Sequence, residues 1–287
     1  MCPIIWEENQ SSLKVVEPML LSMLETITLS KTGWSIMNRV EDYTTLKTRI
    51  VDWIRDYANK NQIKSLVVGV SGGIDSAVVS SLCAETGLPT YVVAMPLHSK
   101  IENSTLSVDH CKSLDEKYEN VTYVRVELSS VYDQFMHSLT WWTGDSFNGN
   151  ELSNANTKSR LRMVTLYQIA GSVGGIVVGT GNKVEDYGIG FYTKYGDGGV
   201  DIAPIADLYK TEVWELGKHL NIDKRIIDAK PTDGLWNDGR TDEDQIGASY
   251  EDLEHAMEYG NGPAVRILHD YNCKNKHKMN PIPTFKL

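Results

Sequence analysis

The sequence predicts an α/β fold in which a doubly wound parallel sheet is flanked by helices. Short runs rich in valine alternate along the chain with segments of helical spacing, and glycines follow several of these runs. Such apolar runs are typical of parallel strands that helices cover on both faces. Right-handed crossovers then bring the carboxyl ends of all strands to one edge of the sheet, where ligands bind in folds of this class.

The elements follow from apolar spacing and from glycine and proline. Leu46, Ile50 and Trp53 recur at helical spacing and predict a first helix over 42–60. Apolar runs predict four strands, at 65–70, 90–95, 121–128 and 176–179. Further helices are expected at 75–86, at 103–118 with Asn103 or Ser104 as N-cap, and at 154–170, followed by a helical portion from about 207.

Composition narrows the class of protein. The chain has 287 residues, 41% of them hydrophobic, and a net charge of −10, which argues against a general nucleic-acid surface. No apolar stretch approaches a membrane span, so no membrane is expected as a partner. The four cysteines form no CxxC pair; Cys83 and Cys111 are expected to be buried free thiols, which favours a cytoplasmic setting. Residues 1–36 are expected to be a peripheral extension, and 37–287 one domain.

The segment 69–76, GVSGGIDS, is the most informative in the chain. It follows a buried strand, opens into a helix and carries little side-chain bulk, so it predicts a loop that cradles phosphate at a helix N-terminus. The Walker pattern is absent, because no lysine follows the glycines. An alternative interpretation is a nucleophile elbow, G-x-S-x-G, with Ser71 as the nucleophile of a serine hydrolase.

Three further segments carry groups suited to anionic ligands. Lys158, Arg160 and Arg162 form either a solvated helix face or an anion clamp. Glu185 follows the fourth strand and is placed to provide a second carboxylate beside Asp75, as a Mg²⁺ site shared with phosphates requires. The segment 191–201 combines aromatic residues, a lysine, glycines and two acids, which is unusual for a surface turn.

Taken together, these motifs resemble the NAD⁺ synthetases, which belong to the N-type ATP pyrophosphatases with the adenine nucleotide alpha hydrolase-like fold. The resemblance covers about residues 40–283. It rests on five segments in one order: SGGIDS at 71–76, NTKSRLRM at 156–163, GTGNKVE at 179–185, FYTKYGDGGVD at 191–201 and LWNDGRTDEDQIG at 235–247.

This resemblance implies an activity and roles for individual residues. The reaction would be the ATP-dependent amidation of deamido-NAD with ammonia, giving NAD⁺, AMP and pyrophosphate through a nicotinyl-adenylate. Asp75 and Glu185 would hold Mg²⁺, and Asp75, Lys210 and Asp197 would be catalytic, with Asp197 a candidate to accept the proton of ammonia. The expected ATP contacts are Gly69, Val70, Ser71, Gly72, Gly73, Ile74, Asp75, Ser76, Thr180, Lys210 and Thr232. The expected contacts of deamido-NAD are Arg160, Lys194, Asp201, His277 and Lys278, in a homodimer.

The sequence also departs from the pattern of this family. Gly181-Asn182 stand where many bacterial members have Asp-His, and one extra residue lies between Glu185 and Lys194. About forty residues precede the resemblance, too few for the nitrilase-like domain of glutamine-using members, so free ammonia is the expected nitrogen donor. A GMP synthetase-like amidating module and the serine hydrolase remain the alternative interpretations.

Overall fold

A computed structural model describes residues 39–99, 101–143, 150–232, 234–236 and 239–286, without the side chains of 101–104 and 140–143. The predicted extension at 1–36 lies outside the described residues. Within the described part, no helix is long and apolar enough to cross a membrane.

The first half of the described chain alternates helices and strands as the sequence predicts. Its elements are α1 Tyr43–Lys60, β1 Ser65–Val70, α2 Ile74–Glu85, β2 Thr90–Ala94, α3 Ile101–Lys117, β3 Val121–Arg125, α4 Ser129–Thr143, α5 Glu151–Val173 and β4 Gly175–Val178. A π-helix, Val184–Ile189, follows β4. The remaining helices are α6 Lys210–His219, α7 Lys224–Ile227, α8 Asp242–Ile246, α9 Tyr250–Tyr259 and α10 Val265–Met279.

The four strands form one parallel sheet in the order β3-β2-β1-β4. Val68 in the middle of β1 pairs with Val92 of β2 on one side and with Val178 of β4 on the other. The chain therefore leaves β1 toward one side of the sheet and returns to build β4 on the other side. This change of direction leaves a crevice beyond the carboxyl ends of β1 and β4, where ligands bind in folds of this class.

Both faces of the sheet are covered, which confirms the predicted doubly wound α/β fold. Leu66 and Val68 of β1 are buried against α1 and α2, whereas Val67 points to the other face and packs in a cluster with Ala170 of α5. Because successive strand residues point to opposite faces, burial of all three requires helices on both sides.

Some predicted boundaries differ from the structure. The helix α3 begins at Ile101, so the prediction that Asn103 or Ser104 caps it is wrong. The strand β3 ends at Arg125, short of the predicted 128. The helix α5 continues past its predicted end at 170 to Val173, and Gly174, with a φ of 63°, is its C-cap. A single glycine, such as the one at 171, costs a helix only about 1 kcal/mol and does not by itself end it.

Candidate functional site

A cavity of about 1320 Å³ lies at the carboxyl edge of the sheet, where the topology predicts a ligand site. The loops after β1 and β4 form one side of it, and α5 contributes another. Residues 190–200, the segment around 229–245 and the end of α10 complete the lining. Most of the residues that the sequence singles out therefore meet in one place.

The loop after β1 has the geometry of an anion cradle. Gly72 has a φ of 93°, a conformation that glycine adopts without strain. The hydroxyl of Ser76 accepts from the backbone N–H of Ser71 at 3.1 Å and donates to the carbonyl of Gly73 at 2.9 Å, so the loop is braced from inside. Gly73 caps α2 without a side-chain hydrogen bond, which leaves the N-terminal N–H groups of α2 available to an anion.

The serine hydrolase interpretation requires a general base beside Ser71. The Ser71 hydroxyl contacts the Ser76 hydroxyl at 3.1 Å and accepts from the N–H of Gly73 at 3.2 Å. The later histidines bond elsewhere: His219 contacts Thr44, His255 contacts Asn261, and His269 contacts Cys273. Ser71 is therefore built into the loop as a hydrogen-bonding group, and none of the residues that the structure describes contacts it as a general base.

Lys210 joins the two predicted metal-binding carboxylates at the floor of the cavity. Its Nζ atom lies 2.5 Å from Oδ2 of Asp75 and 3.1 Å from Oε1 of Glu185. Burial opposes the charge on Lys210, but Asp75 and Glu185 outweigh it and hold the Lys210 pKa above its usual value. Burial raises the pKa of Asp75, and Lys210 acts against this shift. A permanent cation is thus held at the mouth of the anion cradle.

Two further polar side chains donate hydrogen bonds to the carboxylates of Asp75 and Glu185. Asn182 donates to Oδ1 of Asp75 at 3.1 Å, so the asparagine that departs from the bacterial pattern has a structural use in this chain. The hydroxyl of the buried Tyr250 donates to Oε1 of Glu185 at 2.7 Å and lies 3.3 Å from Asp242. Burial, with Glu185 and Asp242 nearby, raises the pKa of Tyr250 well above its usual value and keeps the phenol protonated.

The three cations of α5 all line the cavity but differ in their surroundings. Lys158 is buried and donates to the carbonyl of Leu235 at 3.1 Å. The Nε atom of Arg162 donates to the carbonyl of Met95 at 3.3 Å. Arg160 is exposed and donates to the carbonyl of Lys194 at 3.3 Å. The interpretation as a merely solvated face is therefore wrong for Lys158, and all three residues contribute to the cavity lining.

The segment 191–201 folds around Asp197. One oxygen of Asp197 accepts from the Ser159 hydroxyl at 2.6 Å and from the N–H of Thr193 at 3.1 Å. Asp197 lines the cavity with an exposed side chain, and partial desolvation by the surrounding protein raises its pKa. Tyr195 adopts a φ of 63°, an unusual value for an aromatic residue that is typical of functional loops.

The predicted contacts of the second substrate are brought together only in part. Lys194 and His277 line the cavity, and the Lys194 Nζ atom donates to the carbonyl of His277 at 3.4 Å. Lys278 donates to the carbonyls of Gly190 and Tyr192, at 2.5 and 2.8 Å, so its ammonium group is engaged by backbone. Asp201 is not part of the cavity lining; its carboxylate accepts from the N–H of Val177 at 2.7 Å and from the Tyr167 hydroxyl at 3.1 Å.

The predicted threonines both line the cavity. Thr180 follows β4. The hydroxyl of Thr232 donates to the carbonyl of Arg240 at 3.2 Å while accepting from the N–H of Gly234 at 3.2 Å. Thr232 therefore orders the segment around 232–240, which is part of the cavity lining.

Asp186 is a cavity residue that the sequence did not single out. It follows Glu185 directly, and burial together with Glu185 and Asp197 raises its pKa to about 7. In a regular α-helix, successive side chains diverge by about 100°. A residue that directly follows a cavity-facing acid is therefore expected to point away from the cavity. The wider π-helix places both Glu185 and Asp186 on the cavity wall.

The fold and the site define a class of protein. A phosphate cradle at the switch point of a parallel sheet, a lysine held between two carboxylates and a wide cavity with further cations define an enzyme that uses a nucleoside triphosphate on an anionic substrate.

Comparisons with known proteins identify this enzyme class more closely. The model of the NAD synthase family matches residues 46–279. The NH₃-dependent NAD⁺ synthetase of Carboxydothermus hydrogenoformans is 36% identical over 233 residues, which is 80% of this chain and 92% of that protein. The chain therefore belongs to the NAD synthase family, and its four-stranded sheet is the adenine nucleotide alpha hydrolase-like fold of that family.

Solved structures agree with this assignment. The NMN synthetase of Francisella tularensis superposes with a TM-score of 0.77 at 31% identity, over 86% of this chain and all of that one. The NH₃-dependent NAD synthetase of Campylobacter jejuni, solved with a nitrate ion, superposes with a TM-score of 0.68 at 27% identity and the same coverage. The protein is an ATP-dependent ligase that amidates deamido-NAD with ammonia, as the sequence predicts.

Proposed function

We propose that the amidation passes through a nicotinyl-adenylate formed above Lys210. A carboxylate oxygen of deamido-NAD attacks the α-phosphorus of ATP, and the bond to pyrophosphate breaks. Ammonia then attacks the activated carbonyl, AMP leaves with the electron pair of the C–O bond, and nitrogen loses a proton. The observation that carries this proposal is the Lys210 ammonium group held between Asp75 and Glu185 beside the cradle after β1. A fixed cation there lowers the electrostatic free energy needed to bring the deamido-NAD carboxylate to the phosphates of ATP.

Asp75 and Glu185 would hold Mg²⁺ in the loaded site. Both carboxylates contact one cation, the Lys210 ammonium, so the pocket between them suits positive charge. Magnesium in such enzymes takes one or two protein carboxylates together with phosphate oxygens, which agrees with this pair. When bound, the ion would neutralise phosphate charge.

Asp197 would accept the proton of ammonia. Its carboxylate faces the cavity, is oriented by Ser159 and Thr193, and has a raised pKa, which favours proton uptake. Arg160, Lys194 and His277 line the neighbouring wall and would bind the deamido-NAD anion. Lys278, whose Nζ atom bonds to backbone carbonyls, would contribute by shaping that wall.

Free ammonia would be the nitrogen donor. A steady-state comparison of ammonium and glutamine with purified protein tests this directly. Turnover with ammonium and none with glutamine is expected, and equal rates would contradict it. Trapping with hydroxylamine in place of ammonia tests the intermediate, since an adenylate gives the hydroxamate together with AMP in equal amounts.

A second acid is a candidate substrate of the same site. The solved structure of an NMN synthetase superposes at a higher TM-score than that of the Campylobacter NAD synthetase, 0.77 against 0.68. This similarity favours amidation of the nicotinate mononucleotide alongside the dinucleotide. The ratio of kcat/KM for the two acids, measured under identical conditions, separates the two functions.

We infer a homodimer built on the exposed side of α4 and α5. Val131, Phe135 and Leu139 of α4 are exposed at spacings of four residues, a stripe of apolar surface along one helix face. Val164 and Tyr167 of α5 are also exposed, and Tyr167 bonds to Asp201. The expected contact of Asp201 with the dinucleotide would then involve this interface.

Analytical ultracentrifugation tests the interface. Phe135→Asp is expected to shift the wild-type dimer toward monomer, while Trp53→Asp, an equally exposed aromatic on α1, is expected to leave it unchanged. A monomeric wild-type protein would contradict the proposal.

The free thiols of Cys83, Cys111 and Cys273 favour a reducing, cytoplasmic setting.

A further inference from the structure

Tyr250 occupies an unusual position for a tyrosine at the edge of an active site. It is the first residue of α9, its exposed fraction is 0%, and its hydroxyl reaches Oε1 of Glu185 at 2.7 Å. A phenol has a single proton to donate, and Glu185 is its nearer acceptor, since Asp242 lies at 3.3 Å. The residue therefore commits its one donor to a proposed metal ligand.

The ring and backbone of Tyr250 are held as firmly as its hydroxyl. The ring packs edge-on against Trp214 at 6.0 Å, and the Lys210 Nζ atom lies 4.9 Å above its centre. The backbone N–H of Tyr250 donates to Glu243 of α8 at 3.1 Å. Because these contacts leave the ring little freedom, the hydroxyl has a defined position relative to Glu185.

The Glu185 carboxylate accepts from two donors among the described residues, and it shares one of them with Asp75. Its Oε1 atom accepts from Lys210 at 3.1 Å and from Tyr250 at 2.7 Å. The Lys210 Nζ atom also contacts Oδ2 of Asp75, at 2.5 Å. Tyr250 is therefore the donor of the two that contacts Glu185 and not Asp75, and its neutral hydroxyl carries no charge that would repel a metal ion.

We propose that Tyr250 is a positioning residue, which orients Glu185 to bind the metal that accompanies ATP. This inference rests on the proposed role of Glu185 as a metal ligand. Tyr250 acts through Glu185 and does not touch the reacting atoms. It also links α8 and α9, through Glu243 and Asp242, to the cavity floor.

The test is the Mg²⁺ dependence of ATP binding, measured by isothermal calorimetry with the full-length protein in magnesium and in EDTA. Tyr250→Phe removes only the hydroxyl. It is expected to weaken ATP binding in magnesium about tenfold, the range for a hydrogen bond to a charged group, and to leave metal-free binding unchanged. Tyr118→Phe is the matched control, because Tyr118 packs against the core near Cys111, outside the cavity lining.

A double-mutant cycle separates positioning from general damage. Glu185→Ala is expected to remove the magnesium-dependent gain in ATP affinity, and adding Tyr250→Phe should weaken binding no further. Additive losses, or equal losses for Tyr250→Phe with and without magnesium, would overturn the inference alone. If Glu185→Ala kept the full magnesium effect, the proposed metal site would fail and the inference with it.

Discussion

The Nζ atom of Lys210 lies 2.5 Å from Oδ2 of Asp75, and this contact joins the first residue of α6 to the second residue of α2. The helices α2 and α6, which are distant in the chain, therefore have their N-termini joined by one ion pair. The contact places a cation where the loop after β1 presents its N–H groups.

Replacing Lys210 with methionine should remove the fixed cation while keeping the length of the side chain. We expect kcat/KM for ATP to fall by about 100-fold or more, the range for losing one electrostatic stabiliser of a transition state. Lys218→Met is the matched control, because Lys218 lies on the same helix, is exposed and pairs with Glu215 one turn away. Comparable losses in both variants would show that the effect is not specific to the cavity.

Asp197→Asn should separate the two half-reactions. The amide cannot accept a proton, so amide formation should slow by about 10²-fold or more. Adenylate formation does not require that proton transfer. The exchange of labelled pyrophosphate into ATP that depends on added deamido-NAD should therefore continue. Loss of exchange and amidation to the same extent would contradict the assignment of Asp197 as proton acceptor.

Asn275→Ala should destabilise the fold around the π-helix. The Asn275 amide donates to the carbonyl of Ile189 at 2.8 Å, and Asn272 of the same helix donates to Gly188 at 2.9 Å. Removing the Asn275 donor should cost about 1–3 kcal/mol of unfolding free energy. Thermal unfolding measures this loss, with the exposed Lys276→Ala on the same helix as control.

His110 should make the fold sensitive to acid. Burial lowers the pKa of His110 from 6.5 to about 4, although a hydrogen bond with the backbone of Ala77 and the charge of Asp223 act in the opposite direction. As pH falls from 6.5 to 4, the unfolded chain takes up a proton that the folded chain excludes, so the unfolding free energy should fall by about 3 kcal/mol at most. Denaturant titrations of His110→Gln should give a shallower decline over this pH range. Parallel curves for the variant and the wild type would contradict this.

The sequence predicted the parallel sheet and the phosphate loop well, because both rest on local patterns. The strand β1 was predicted at its observed limits, since a short apolar run between polar residues admits few alternatives. Asp75, Glu185 and Lys210 were singled out, but their meeting depends on how α6 returns to the sheet. That return depends on packing between distant segments, which no local sequence pattern indicates.

The contacts that local patterns missed are those made between distant segments. Tyr250 begins a short helix in the C-terminal part of the chain, and only the packing of that helix brings its hydroxyl to Glu185. Asp201 lies next to cavity residues in sequence, and only the folded structure shows that its carboxylate accepts from the backbone of β4. Asp186 became visible as a cavity residue only through the π-helix, whose extra residue no periodicity announces.

The side chains of α10 that hold the π-helix have a consequence for biosynthesis. Asn272, Asn275 and Lys278 satisfy carbonyls between Gly188 and Tyr192, so the wall of the cavity is completed by residues that are synthesised well after the sheet. A nascent chain can form the sheet and the cradle first, but the pocket for the second substrate closes only once α10 has been made.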